Sequence, residues 1–247
     1  MAGPLEALGI PHAFTTREGG ASAPPFDTLN LGRGVGDLPD AVRTNRTRVL
    51  AALGRSLTEQ VEASQVHGTL VAAVDASHRG RKIPGVDALI TRDPAVVLAM
   101  HCADCVPVLL ADPVRGAVAA VHTGWRGTAA GAAPAAVGAM VEACGSRPGD
   151  LVAAIGPAIG PCCYEVDAPV VERFAPWPWR DRVVSPSPSG RWMLDLWEAN
   201  RRQLVDAGVP PGSVAVAGLC TAHHPALFFS HRRDGTTGRM AAHIAVP

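Results

Sequence analysis

Three short stretches of the chain gather the side chains that do chemistry. His67 sits in Ser-Gln-Val-His-Gly. Cys102, Asp104 and Cys105 follow His101 at the end of an apolar run, in His-Cys-Ala-Asp-Cys-Val-Pro. His122 ends another apolar run and opens the turn Thr-Gly-Trp-Arg-Gly. Two imidazoles and one thiolate are the donor set of a borderline ion, Zn²⁺ above all, with Cu²⁺ as the avid alternative. Three protein ligands leave a fourth position open for water or substrate, the arrangement of a catalytic rather than a structural site. Such an ion would bring the pKa of a bound water toward about 7. Asp104, beside Cys105, is a candidate to orient a ligand or to move a proton. Spacing alone leaves open whether His101 or His122 completes the set.

Arginine is the second signal. Arg17 lies in Thr-Thr-Arg-Glu-Gly-Gly, Arg46 follows Asn45, Arg126 lies in the Gly-rich turn, and Arg232-Arg233-Asp234 precedes Thr237-Gly238-Arg239. A guanidinium in a Gly-rich loop suits bidentate phosphate or carboxylate recognition. Gly156–Glu165 reads as a rigid loop able to line a pocket, and its adjacent Cys162 and Cys163 are poorly disposed to bridge each other.

The elements that must position these groups are short. A helix is expected over 41–53 with Asp40 as its cap, and strand, turn and strand over 60–74. Buried strands are expected at 86–91, 95–101, 106–111, 116–122 and 151–155. A helix over 128–144 and another over 194–207, ended by Gly208, follow. Strands are expected at 213–219 and 226–231. Residues 15–40 read as an ordered loop and 175–190 as a surface loop. The Gly-rich turn matches neither a dinucleotide fingerprint nor a P-loop. The pattern predicts an α+β fold with a mixed sheet and helices outside it.

Composition bounds the rest. At 247 residues, 47% hydrophobic and 18% charged, the chain can bury a core and is not disordered. Lys+Arg and Asp+Glu balance at 22 each, so no net field holds a polyanion; nucleic acid and membrane surfaces are not expected partners. No apolar stretch reaches the roughly 18–20 residues of a membrane span. No secretory signal is visible, which predicts a cytoplasmic protein whose six cysteines are mostly thiols. A lone C-x2-C argues against a closed zinc knuckle.

Eight blocks in order resemble the YfiH-like family, also filed as the laccase-domain or polyphenol oxidase family and described as purine nucleoside phosphorylases. They are Phe14-Thr-Thr-Arg-Glu-Gly-Gly, Leu29-Asn-Leu-Gly, Asn45-Arg46, Gln65-Val-His-Gly, Ala103-Asp-Cys-Val-Pro, Ala120-Val-His-Thr-Gly-Trp-Arg-Gly, Ile155-Gly-Pro-Ala-Ile-Gly, and Phe229-Ser-His-Arg-Arg-Asp through Thr237-Gly-Arg-Met-Ala. The resemblance implies one catalytic domain over 1–247 in a layered α/β/β/α sandwich of mixed β-sheets. It implies metal ligands His67, Cys105 and His122, so His122 rather than His101, and substrate or phosphate contacts at Asn45 and Arg46. Arg17 and Arg126 are further candidates to bind substrate. Two departures stand near the end: His231 where relatives often carry an aromatic, and Ala222 where they often carry Tyr.

The implied function is phosphorolysis of adenosine or inosine, with 5′-methylthioadenosine as a further substrate, giving free base and ribose 1-phosphate. Adenosine deamination at the same metal site is a second implied activity. The implied partners are purine nucleosides and phosphate, with the chain a monomer or weak homodimer. Three other readings were weighed. Copper-dependent phenol oxidation of the multicopper kind needs about ten His, largely in H-x-H pairs, against nine here and no such pair. A thiol hydrolase would use Cys105 as nucleophile and His122 as base on an amide of a peptidoglycan precursor. A binding module with a structural metal is disfavoured by the open three-ligand set.

Overall fold

The computed structural model describes residues 3–247. Two mixed sheets pack face to face. The first has the strand order His12–Phe14, Met240–Ala245, Val97–Cys102, Gln60–Ser64, Lys82–Pro84. The second runs Val214–Val216, Val152–Ile155, Val106–Asp112, Ala117–Thr123, Ala88–Thr91, Val71–Ala73. A small antiparallel sheet of Glu165–Val166, Trp192–Leu194 and Val184–Pro186 lies apart from both.

Side-chain alternation sorts the layers. Along Val106–Asp112, Val106, Val108 and Leu110 face helices, while Leu109 and Ala111 face the other sheet. Leu98, Met100, Ala242 and Ile244 of the first sheet meet Leu89, Leu109, Val118 and Ala120 of the second in the inter-sheet core. Helix Pro39–Ala52 covers the outer face of the first sheet through Val49 and Leu50. Helices Ala132–Cys144 and Leu196–Asp206 cover the second through Ala136, Val137, Met140, Ala199 and Leu204. The layers are therefore α/β/β/α, as the resemblance implied.

Most expected elements are present, with five corrections. The segment 175–190, expected as a surface loop, holds the short helix Arg180–Val183 and the strand Val184–Pro186, with Trp179 and Val183 buried. Asp40 does not cap its helix: Leu38 holds the cap position with no side-chain bond, Pro39 opens the helix, and Asp40 lies in the first turn, where its charge suits the dipole. The helix expected over 128–144 is two helices, Trp125–Ala130 and Ala132–Cys144, parted by Gly131 at φ +86. The strand expected over 226–231 is instead a turn and the short helix His231–Asp234. Phe228 and Phe229 are buried against Cys102 and Met240, so this apolar pair plugs the end of a sheet rather than extending it. The strand Met240–Ala245, wholly buried beside Val97–Cys102, escaped the sequence reading because three of its six residues are Ala, a weak strand former.

No helix among the described residues is long and apolar enough to cross a membrane. Leu109 is fully buried between the sheets. Leu109→Ala should lower unfolding stability by about 2–5 kcal/mol, and Leu38→Ala, at 71% exposure, by less than about 0.5 kcal/mol; denaturant titration of both variants checks this.

Candidate metal centre

Antiparallel register brings the candidate ligands together. Val106–Asp112 pairs with Ala117–Thr123 so that Val106 lies opposite Thr123 and Pro107 opposite His122. Cys105, one residue before the first strand, therefore sits at the end of the hairpin where His122 emerges. Ala117–Thr123 also pairs with Ala88–Thr91, Val121 opposite Ala88, and the ladder continues one step: the His122 N–H donates to the Asp87 carbonyl at 2.7 Å. His67 arrives from elsewhere, on the loop that leaves Gln60–Ser64 of the first sheet and enters Val71–Ala73 of the second.

Asp87 ties these pieces together. Its carboxylate is fully buried and accepts the backbone N–H groups of Val66, His67 and Gly68 at 3.2, 2.9 and 2.7 Å. Three successive N–H groups around one carboxylate form an anion nest. His67 takes φ +62 to close it. The same carboxylate lies 2.9 Å from His122 Nδ1. Burial works against the Asp87 charge, but the His122 hydrogen bond and the Gly68 N–H outweigh it and hold the acid below its ordinary range. With Nδ1 engaged, His122 has only Nε2 to offer a ligand.

The resulting cluster fits an ion. The ligand atoms of His67, Cys105 and His122 all lie within 4.8 Å of one another, and Cys105 Sγ is 3.9 Å from His67 Nε2. Donors at about 2.0–2.3 Å from one tetrahedral ion stand about 3.5 Å apart, so a small contraction closes the set. The His67 and His122 rings meet edge to face at 4.9 Å. Gly124 leaves the space: a Cβ there would stand 2.8 Å from His67 Cδ2 and 3.1 Å from Cys105 Sγ. Burial would push the Cys105 thiol up, but the charge and hydrogen bonding of His122, with His67 adding to it, bring it down to about 6. Burial would likewise lower His122, yet Cys105 and Asp87 raise it to about 9. Without metal the pair is a thiolate and an imidazolium.

His67 also borders a cavity of about 650 Å³ lined by Trp125, Arg126, Glu172, Arg173 and Pro176. Arg126 stacks on the Trp125 ring at 4.2 Å. Of the sequence candidates, His67, Cys105, His122 and Arg126 thus share one region. The other four are committed elsewhere. Asp104, at φ +91, turns its carboxylate to Thr221 Oγ1 and the Arg232 N–H, both at 2.6 Å, and so ties two loops together. Asn45 is fully buried and holds the 15–40 loop through Ala21 N, Ser22 Oγ and the carbonyls of Thr28 and Asn30. Arg46 is buried under the first sheet against Gln60 and Glu62. Arg17 binds the Asp27 and Pro225 carbonyls and pairs with the Asp27 carboxylate at 3.1 Å. His101 faces Glu62 at 3.6 Å, under the first sheet, and is not among the donors that converge with His67, Cys105 and His122.

Sequence reasoning missed Asp87, Glu172, Arg173 and Tyr164. Tyr164, the only tyrosine of the chain, is buried near Cys105; burial, then the thiolate, push it up to about 12. Asp87 carried a legible signal, an acid immediately before the buried strand Ala88–Thr91. Asp87→Asn keeps the shape but removes the charge that fills the nest and fixes His122. It should weaken Zn²⁺ binding about 10- to 100-fold with the far-ultraviolet spectrum retained; competition with a chromogenic chelator measures it.

Comparison with known proteins agrees with this architecture. A purine nucleoside phosphorylase of Geobacillus stearothermophilus, YlmD, is 46% identical over 255 residues, covering 96% of this chain and 90% of that protein. A purine nucleoside phosphorylase of Streptomyces coelicolor is 43% identical, covering 96% and 95%. The crystal structure of the Bacillus licheniformis hypothetical protein YfiH superposes with a TM-score of 0.94 at 41% identity, covering 97% of this chain and 93% of that one. The profile of one family matches residues 11–247. By that match and these relatives, the chain belongs to the family described as multi-copper polyphenol oxidoreductase laccase, which contains the YfiH-like proteins.

Proposed function

We propose that the chain is a purine nucleoside phosphorylase, acting on adenosine and inosine as one catalytic domain over 1–247. The observation that carries this reading is the junction of the His67–Cys105–His122 cluster with a cavity flanked by Arg126 and Arg173. The names of the relatives support it. The cavity volume of about 650 Å³ falls in the small-molecule range.

In phosphorolysis a phosphate oxygen bonds to C1′ as the C1′–N9 bond breaks. The electron pair of that bond leaves with the purine, which takes up a proton, and the products are free base and ribose 1-phosphate. Positive charge builds on the sugar, so the arrangement must hold a polyanion beside it. Arg126 and Arg173 are the cations to do this. Arg126 is pre-set by its stack on Trp125, so less freedom is lost when it binds an anion. His67, Cys105 and His122 would hold Zn²⁺ or Cu²⁺, which when bound supplies Lewis acidity toward an oxygen at the open position. Asp87 keeps His122 in the tautomer that presents Nε2. Deamination of adenosine is the second activity of the same donor set.

The test is base release from adenosine and inosine by metal-replete protein, with and without phosphate, read by chromatography. Free base and ribose 1-phosphate should form only with phosphate, and Cys105→Ala should lose metal and turnover together. Full turnover by metal-free Cys105→Ala protein would sink the assignment. Inosine formed from adenosine without phosphate would establish the deaminase arm.

A second reading has one observation in its favour. Cys105, His122 and Asp87 stand in the order nucleophile, base and orienting acid, with the thiol at about 6. That arrangement suits a thiol hydrolase acting on an amide. In metal-free protein, Cys105 alkylation should already be at its plateau by about pH 7, where an ordinary thiol of pKa about 8.5 is still mostly protonated. Zn²⁺ should suppress the labelling. A rate that keeps climbing through pH 8 would contradict the thiolate assignment. Amide turnover insensitive to chelator would move the function to this second reading.

A further inference from the structure

A second group of soft donors lies outside the cluster described above. The ligand atoms of Cys162, Cys163 and His223 also fall within 4.8 Å of one another. Cys220 lies next to them, its sulfur accepting the Gly160 N–H. These three cysteines and the histidine come from two turns. In the first, the N–H groups of Cys163 and Tyr164 both return to the Gly160 carbonyl, at 3.0 Å each. This curl turns neighbouring side chains to one side, where a strand would send them to opposite faces. In the second, the His224 N–H returns to the Cys220 carbonyl at 3.1 Å, and His223 precedes it in the same turn. The two turns are stitched by the bridge between Ala158 and Cys220 and by the Gly160 N–H donating to Cys220 Sγ at 3.2 Å.

The geometry points to a second metal site, formed by Cys162, Cys163 and His223, that takes a thiophilic ion, Zn²⁺ in particular. Its donor set differs from the first in kind. Two sulfurs and one imidazole nitrogen make a softer set than the one sulfur and two imidazoles of His67, Cys105 and His122. No carboxylate enters it, so hard ions such as Mg²⁺ and Ca²⁺ are excluded by chemistry. Binding needs no redox step: each thiol that ligates releases its proton to solvent and gives its lone pair to the ion. All six cysteines are free in the structure, so none of these sulfurs is taken.

The position of the site suggests what it would do. Thr221, next to Cys220, donates to the Asp104 carboxylate, and the Ile159 N–H donates to the Asp104 carbonyl at 2.9 Å. Asp104 immediately precedes Cys105. An ion here would clamp the two loops that hold Asp104, and so would act as a positioning element for the first centre without touching substrate.

The experiment is Zn²⁺ stoichiometry on the reduced full chain, stripped with chelator, reloaded with Zn²⁺, desalted and measured by elemental mass spectrometry. Wild type should carry two ions per chain. Cys105→Ala should keep one. Cys162→Ser/His223→Ala, which alters only exposed side chains and so preserves the fold, should also keep one. Combining the three substitutions should leave none. Co²⁺ loading gives a second readout: Cys105→Ala should retain a thiolate-to-metal charge-transfer band, which the Cys162→Ser/His223→Ala substitutions then abolish. One ion in wild type with none in Cys105→Ala, and no charge-transfer band in that variant, would overturn the proposal. So would reduced protein that re-forms a Cys162–Cys220 or Cys163–Cys220 disulfide in preference to taking up Zn²⁺.

Discussion

The buried carboxylate of Asp87 is the constraint on which the candidate centre depends. It satisfies three successive backbone N–H groups of the 66–68 turn and fixes one nitrogen of His122. A charge taken out of water is tolerated only when it is fully hydrogen-bonded, and each such bond to a carboxylate is worth about 1.5–3 kcal/mol. The loop that bears His67 crosses between the two sheets, and it has no regular structure of its own to hold its shape. The nest supplies that shape. One side chain therefore sets the place of the first ligand and the tautomer of the third.

The double-sheet architecture explains why this is possible. Antiparallel pairing aligns the start of one strand with the end of its neighbour, so residues just outside Val106–Asp112 and Ala88–Thr91 meet the last residues of Ala117–Thr123. Cys105 and Asp87 are those residues. The fully buried strands behind them make a rigid base, and the cluster sits where the ladder ends and backbone is free to turn. Both non-glycine residues that take positive φ among the described residues, His67 and Asp104, lie here. Strain of that kind persists only where the surroundings over-determine the conformation.

The electrostatics follow from the same packing. Cys105 and His122 are each pushed by burial toward neutrality, and each is pulled the other way by its partner. Asp87 tips the balance toward charge. The centre thus holds a thiolate near neutral pH, the state required of a metal ligand and equally of a nucleophile. This is why one cluster supports both the phosphorylase reading and the thiol reading, and why occupancy by a metal is the variable that separates them.

Much of this was legible in the chain. Short continuous apolar runs marked the inter-sheet strands, since a strand buried on both faces needs them, and the ligand types at His67, Cys105 and His122 announced soft-metal chemistry. Neighbouring residues were a poorer guide to roles. Asn45, Arg46, Arg17 and Asp104 carry polar groups in motifs of the resemblance, but residue type does not say which way a side chain points. In the folded chain Asn45, Arg17 and Asp104 bond to loop backbone and neighbouring side chains, and Arg46 reaches Gln60 and Glu62 through Nη2 while its Nε and Nη1 have no partner. Asp87 was legible as an acid before a buried strand, but only register shows that it reaches the centre; Arg173 arrives through long-range packing, which local spacing does not encode. The sequence by itself determined most of the strands and the donor chemistry, because these rest on local periodicity and side-chain type; the α/β/β/α layering was implied by the resemblance. Only the tertiary structure decided which donors converge, which arginines face the cavity and which carboxylate holds the centre, because those depend on strand register and on where each buried polar group finds its partner.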